Sequence, residues 1–357
     1  MRPLAAFAIL LVVAGCGPTT TPAPSNASSE PSASASAPGS PSPSSFAGTP
    51  ATVRLALDWT PNTNHTGFFV AQRRGWYRES GIDLRVLPYA TSAPETLLAA
   101  HQAECGISFQ DSLTFAVAAG ADIVSVAAIL QKTASAIGVL ADSPIDRPRD
   151  LDGKTYAGFG YPNEVPTLKA VIRADGGRGE FRVATLDSAA YEALYASKAD
   201  FTIPFTAWEG VEAELRGIKL RYFAFSDYGF PEFYQVVLAC DRQWLGRERE
   251  AARRFVGATA RAFQEAAEHP AEAVADLVAA NPGAFEANPQ LPVKSQEYLA
   301  ANHLLTDERG VFGTQTLERW TGYSSFLQEQ GLLVDSAGKP LPNPLDYGRL
   351  FTIDFLP

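Results

Sequence analysis

Side chains able to grip a small polar ring recur at one kind of place in this 357-residue chain, directly after a short apolar run. Val53, Leu55 and Leu57 lead into Asp58-Trp59-Thr60-Pro61-Asn62-Thr63-Asn64-His65-Thr66-Gly67, and a helical pattern continues through Phe68, Val70 and Ala71. That spacing puts Trp59, Asn62, Asn64 and His65 on a strand-to-helix corner, where ligands settle in α/β sheets and free backbone N–H groups face outward. Amide side chains both donate and accept, which suits a heteroaromatic ring with amino groups and ring nitrogens. His65 fits a structural role as well as a ligand contact.

Three further stretches repeat the arrangement. Gly158-Phe159-Gly160-Tyr161-Pro162-Asn163-Glu164 follows a strand and opens a helix, but Asn163 or Glu164 stands where a dinucleotide fingerprint needs its third glycine. An acid close to the expected phosphate would repel it, so a nicotinamide cofactor is not expected. Phe205-Thr206-Ala207-Trp208-Glu209-Gly210 adds an indole and a carboxylate, and Asp227-Tyr228-Gly229-Phe230-Pro231 offers Tyr228 as a wall. Ser108 and Gln110 at one strand end, and Gln131 after another, are supporting positions. A flat ring resting on an aromatic face gains about 1–3 kcal/mol, by analogy with base stacking.

The elements that must carry these residues alternate. Strands at 53–57, 84–87, 105–108 and 124–129 are separated by helical patterns at 66–76, 94–102 and 111–119. A second alternation follows, with strands at 155–159, 181–184, 201–203 and 220–225 and helices between them. Strands alternating with helices imply mainly parallel sheets flanked by helices. We therefore expect an α/β fold of two lobes, residues 52–142 plus 237–357 forming the first and 143–236 the second. Two crossings would make a hinge that closes over a ligand. The helical patterns after residue 241 are expected to complete the first lobe.

Charge and address narrow the function. The net charge of −10 and pI near 5.0 argue against nucleic acid and against polyanionic ligands. Arg2, the apolar run Leu4–Ala14 and Val13-Ala14-Gly15-Cys16 resemble a bacterial lipoprotein signal, so residues 1–16 are expected to end at a lipid-bearing Cys16. Residues 17–51, rich in Ser, Pro and Ala, read as a disordered tether holding the body off the membrane. Cys105 and Cys240 lie in apolar strand-like runs and read as two free buried thiols, although one disulfide would also fit an exported protein. No zinc spacing, nucleophile elbow or phosphate loop is present in the sequence, and neither a metal nor a cofactor is expected.

The opening motif resembles that of the binding proteins that deliver thiamine pyrimidine precursors to ABC importers, a family sharing its fold with the eukaryotic synthase of the same pyrimidine. Gly75-Trp76-Tyr77 with Gly81-Ile82-Asp83-Leu84 and the Trp208-Glu209 pair add to the likeness, which covers most of residues 52–330. It implies the two-lobed type II periplasmic-binding-protein fold, with Glu164 meeting the pyrimidine. It also implies a monomer that binds formylaminopyrimidine or hydroxymethylpyrimidine and presents it to a permease. Riboflavin is the alternative ligand within the superfamily. The enzymatic alternative, the synthase that consumes its own histidine with pyridoxal phosphate held by lysine, carries a cysteine-rich run that this chain lacks.

Overall fold

Short apolar strand runs, most of them followed by a helix or helical turn, assemble into a five-stranded sheet and two strand pairs that single bridges join into a second layer. The computed structural model describes residues 46–89 and 92–357. The expected signal segment with Cys16, and the tether up to residue 45, lie outside the described residues. Phe46 rests against Gly81, with the Arg254 guanidinium 4.9 Å from its ring centre.

The first sheet contains β1 (Ala51–Ala56), β2 (Ile82–Leu87), β3 (Cys105–Ser108), β4 (Ile123–Ala128) and, late in the chain, a strand at Val237–Asp241. The second half of the molecule contributes β5 (Ala136–Leu140), β6 (Thr155–Gly158), β7 (Arg182–Thr185) and β8 (Leu220–Ala224), so the late strand is β9. The first sheet runs β2-β1-β3-β9-β4, with β1 parallel to β2 and β3, and β9 antiparallel between β3 and β4. Every residue of β4 and β9 is buried, as expected for strands covered on both faces. The helix Arg249–Glu268 packs mainly on the helix Thr66–Arg73 and reaches β2, burying Ala252, Phe255, Val256, Thr259, Phe263 and Ala266 along one face.

β6 pairs with β7 in parallel, and β5 pairs with β8 antiparallel. Phe201 and Thr202 join the two pairs, since Ala157 N–H donates to the Phe201 carbonyl and Gly138 N–H to the Thr202 carbonyl, both at 2.9 Å. Each half thus holds, in antiparallel sense, the strand that arrives from the other half. β5 is paired into the second sheet from Ala136, several residues before the expected boundary at 142.

Two expectations are corrected. Cys105 and Cys240 are not free thiols: they lie directly opposite in the β3–β9 register and form a disulfide across it. The apolar context that suggested reduced cysteines is the buried centre of the sheet, and pairing across strands was not visible from the separate runs. The helix Leu317–Glu329 also serves more than the first half. Trp320 packs in a core with Leu113 and Tyr234, while Tyr323 and Leu327 pack in the second core with Ile137, Phe223 and Phe230.

Candidate ligand-binding cleft

A cavity of about 470 Å³ opens where the carboxyl ends of β1, β3 and β6 meet, within the range of small-molecule sites. One wall follows the first sheet and carries Asp58, Trp59, Asn64, Glu95 and Asp111; the other follows the second and carries Tyr161, Glu164, Tyr191, Trp208 and Glu209.

On the first wall, Asn62 caps the turn Thr63–His65. Its side-chain oxygen accepts from the Asn64 N–H at 2.9 Å and its amide donates to the Thr60 carbonyl at 3.1 Å. Asn62 reaches the cleft edge, but its hydrogen bonds are largely taken by the backbone. The next amide is different: Asn64 lines the cleft, is 9% exposed, and has no protein partner for its side chain among the described residues. His65 is completely buried and does not line the cleft. Its Nδ1 accepts from the Asn62 N–H at 3.3 Å, so the hydrogen-bond pattern leaves Nε2–H to donate to Asp58 Oδ1 at 2.7 Å. His65 thus orients the Asp58 carboxylate, which lines the cleft.

Ser108 has a parallel role. It is buried behind the wall, and its hydroxyl donates to Glu95 Oε1. Burial raises the Glu95 carboxyl above its ordinary value, and the nearby Asp111 and Asp58 raise it further. Asp111 is also raised by burial, although the Ser112 N–H donates to it at 2.8 Å. The Asn163 amide crosses from the other wall, donating to Asp111 Oδ2 at 2.7 Å and to the Tyr323 hydroxyl at 2.9 Å. At the rim, Trp59 and Tyr89 lie 5.2 Å apart at 49°, each about two-fifths exposed.

The second wall is built from two loops. Glu164 folds back so that Oε1 accepts from the Phe159 N–H at 3.1 Å and Oε2 from the Gly160 N–H at 3.0 Å. This explains the glycine pair: a side chain at 158 would meet Glu164 Oε2 at 2.7 Å, and Gly160 has φ +96°. Glu164 is therefore first the clamp of its own loop, with the Tyr156 hydroxyl also against its carboxylate. Phe159 lies nearly parallel to Tyr161, 6.1 Å away, and 5.6 Å from Tyr191. In the π-type turn Thr206–Gly210, Glu209 Oε2 accepts from the Phe205 N–H at 3.1 Å, and burial pushes its carboxyl up to about 7. Trp208 lies half-buried between the cleft and the first core.

The remaining expected site residues lie elsewhere. Gln110 is a cross-brace, donating to the Arg319 and Trp320 carbonyls at 3.2 Å and accepting from the Tyr234 N–H at 2.9 Å. Gln131 donates to the Thr314 carbonyl at 3.0 Å. Tyr228 packs against the second core within reach of Asp175 and Arg147, outside the cleft. These polar residues do stand at strand ends or in loops, but their side chains turn to satisfy buried backbone groups. No lysine, arginine or histidine is among the described residues that line the cleft.

The family profile described as NMT1/THI5 like matches residues 62–273, more than half of the chain and most of both walls. The chain belongs to the NMT1/THI5 like family. Among its relatives, a formylaminopyrimidine-binding protein of Halalkalibacterium halodurans is 28% identical over 298 residues, covering 80% of this chain and 89% of the relative. A 4-amino-5-hydroxymethyl-2-methylpyrimidine phosphate synthase of Legionella pneumophila is 26% identical, over 64% of this chain and 74% of the relative. Among solved structures, the alkanesulfonate-binding protein SsuA of Xanthomonas axonopodis pv. citri, bound to MOPS, superposes with a TM-score of 0.61 at 17% identity, covering 86% of this chain and 99% of that one. This last likeness fixes the fold, the two-lobed periplasmic-binding-protein type.

Sequence reasoning missed Asp58, Tyr89, Glu95, Asp111 and Tyr191. Asp58 stood inside the quoted motif, and Asp111 followed Gln110 at the same strand end. Glu95, at the first turn of the helix Pro94–Ala99, read as a routine helix-start acid.

Proposed function

We propose that the protein is an extracytoplasmic solute-binding component of an ABC importer, anchored through lipid on Cys16. Its two lobes close, as a monomer, over a thiamine pyrimidine precursor, formylaminopyrimidine or hydroxymethylpyrimidine, which it presents to the permease. The observation that carries this reading is the composition of the cleft. Aromatic faces from Trp59, Tyr161, Tyr191 and Trp208 surround the carboxylates of Asp58, Glu95, Asp111, Glu164 and Glu209, with no cationic side chain among the described lining residues. Such a site favours a flat ring rich in N–H donors, and repels phosphate and sulfonate. The kinship with a formylaminopyrimidine-binding protein supports the same choice.

The cleft does not fit the cofactor of the related synthase. Pyridoxal phosphate needs a lysine for its imine and positive or N–H-rich surroundings for its phosphate, and the lining residues present carboxylates instead. Riboflavin, a larger flat ring, would use the same aromatic faces but turns an imide edge, one N–H between two carbonyls, toward the acids.

Calorimetry of the purified protein with formylaminopyrimidine, hydroxymethylpyrimidine, riboflavin and taurine tests the reading. Saturable heat is expected with the aminopyrimidines near micromolar affinity, about −8 kcal/mol, and none with taurine. Heat from riboflavin alone would overturn the ligand, and a pyridoxal–lysine imine absorbance would overturn the non-enzymatic role.

A further inference from the structure

Glu95 has so far counted only as one of several carboxylates around the cleft. Ser108 holds its Oε1, Oε2 has no protein partner among the described residues, and the side chain lines the cleft. Asp58 and Asp111 flank it on the same wall, while Glu164 and Glu209 and the phenols of Tyr89, Tyr161, Tyr191 and Tyr323 complete the titratable groups among the described lining residues. Two further groups point to an occupant rather than to an acid cluster sealed for structural reasons. Asn64, a residue 9% exposed, makes no side-chain hydrogen bond among the described residues, and the Thr167 hydroxyl, 4% exposed and beside the Tyr323 hydroxyl, makes none of good geometry there.

We infer that Glu95 reads the amino-azine edge of the ligand and, with Asp58 and Asp111, makes the cleft select heterocycles basic enough to accept a proton. The inference rests on the aminopyrimidine reading above and deepens it. An amino group beside a ring nitrogen presents a donor next to an acceptor, and a carboxyl group is its complement. One oxygen accepts from the amino N–H while the other shares a single proton with the ring nitrogen. When that proton moves from Glu95 to the ring, a neutral pair becomes a pyrimidinium–carboxylate pair with no proton gained or lost from solvent. Three acids on one wall, without a cation, favour the charged ring. A ring bearing an oxo group in place of the amino group has no such basic edge, and its carbonyl faces carboxylates. Ser108 and His65 are positioning residues here, since they fix the two carboxylates and touch no ligand.

The test compares hydroxymethylpyrimidine with its oxo analogue by calorimetry on the wild type and on Glu95→Gln, between pH 5.5 and 8.5. The wild type is expected to prefer the amino compound by about 100-fold, and that preference should fall along the alkaline limb as neither partner keeps the shared proton. Glu95→Gln, with an amide donor where the acid stood, should bind the amino compound at least ~10-fold more weakly and the oxo compound no more weakly. A Glu95→Gln protein with the wild-type preference would overturn the inference while leaving the proposed ligand standing. If the variant does not fold, the wild-type profile decides, because a preference independent of pH overturns the inference as well. Absence of binding by either pyrimidine at any pH would overturn both readings.

Discussion

The two walls of the cleft hold their acids in different ways. On the first wall each carboxylate is held by another side chain: Asp58 by His65 of the same corner, Glu95 by Ser108 of β3, and Asp111 by Asn163 from across the cleft as well as by its neighbour's N–H. On the second, Glu164 and Glu209 each turn back four or five residues to backbone N–H groups of their own loops. The first arrangement depends on tertiary structure, centred on fully buried strands and the Cys105–Cys240 bond. The second is local and surrounded by exposed rings such as Tyr161. The difference suggests a division of labour: a rigid wall that reads the ring's edge, and a loop-built wall that covers its faces.

The largest effect expected from that contrast concerns stability. Cys105→Ser with Cys240→Ser removes a crosslink joining residues 135 apart in sequence, and should cost about 2–4 kcal/mol in denaturant unfolding. The same loss should follow reduction of the wild type, and an unchanged midpoint would show that the first wall does not depend on its staple. Next come the indoles. Trp59→Ala and Trp208→Ala should each weaken ligand binding by about 1–3 kcal/mol. Trp59 stands exposed at the rim, so its loss should leave the melting temperature unchanged, whereas Trp208 also packs on the first core and its loss should lower it. Equal melting temperatures for the two would contradict this assignment. Glu164→Gln is smaller still: one acceptor oxygen remains for two N–H groups, and about 1–2 kcal/mol of loop stability should go, read as faster amide exchange confined to 158–164.

Much of this was legible in the residues. Apolar runs bounded by Gly, Pro and Asn located β1, β3, β6 and β8 within a residue or two, because strand burial and turn chemistry are local. Trp59, Asn64, Trp208 and Glu209, expected near strand-to-helix corners, do line the cleft. What the sequence withheld was direction and long-range pairing. Gln110 and Gln131 look like ligand contacts in one dimension, yet both satisfy carbonyls of the segment 314–320, almost two hundred residues away. Tyr228 sits in an aromatic turn that faces the second core. The partnership of Cys105 with Cys240 follows from β9 returning beside β3, which no local pattern announces. Glu95 gave no signal beyond a helix-start acid, since its meaning comes from Ser108, Asp58 and Asp111 arriving from three other segments.

The smallest expected effect separates the walls by pH. Glu209 titrates near 7 in the folded protein against an ordinary 4.5, so the native state holds this proton more tightly than the unfolded chain. Its contribution to stability is therefore complete below about pH 4.5 and is lost as pH rises to about 7. Glu95 and Asp111 shift in the same direction. Asp175 beside Arg147, and Glu104 beside Arg54, are held below their ordinary range and oppose the trend only in stronger acid. The ligand-free protein should accordingly melt about 2–4 °C higher at pH 5 than at pH 7.5, the scale of one kcal/mol in a chain of this size. Glu209→Gln removes the second wall's share. If the variant's pH dependence is flat, the titration belongs to the loop-built wall alone. If about half of the slope survives, Glu95 and Asp111 supply the rest, and the rigid wall stores protons before any ligand arrives.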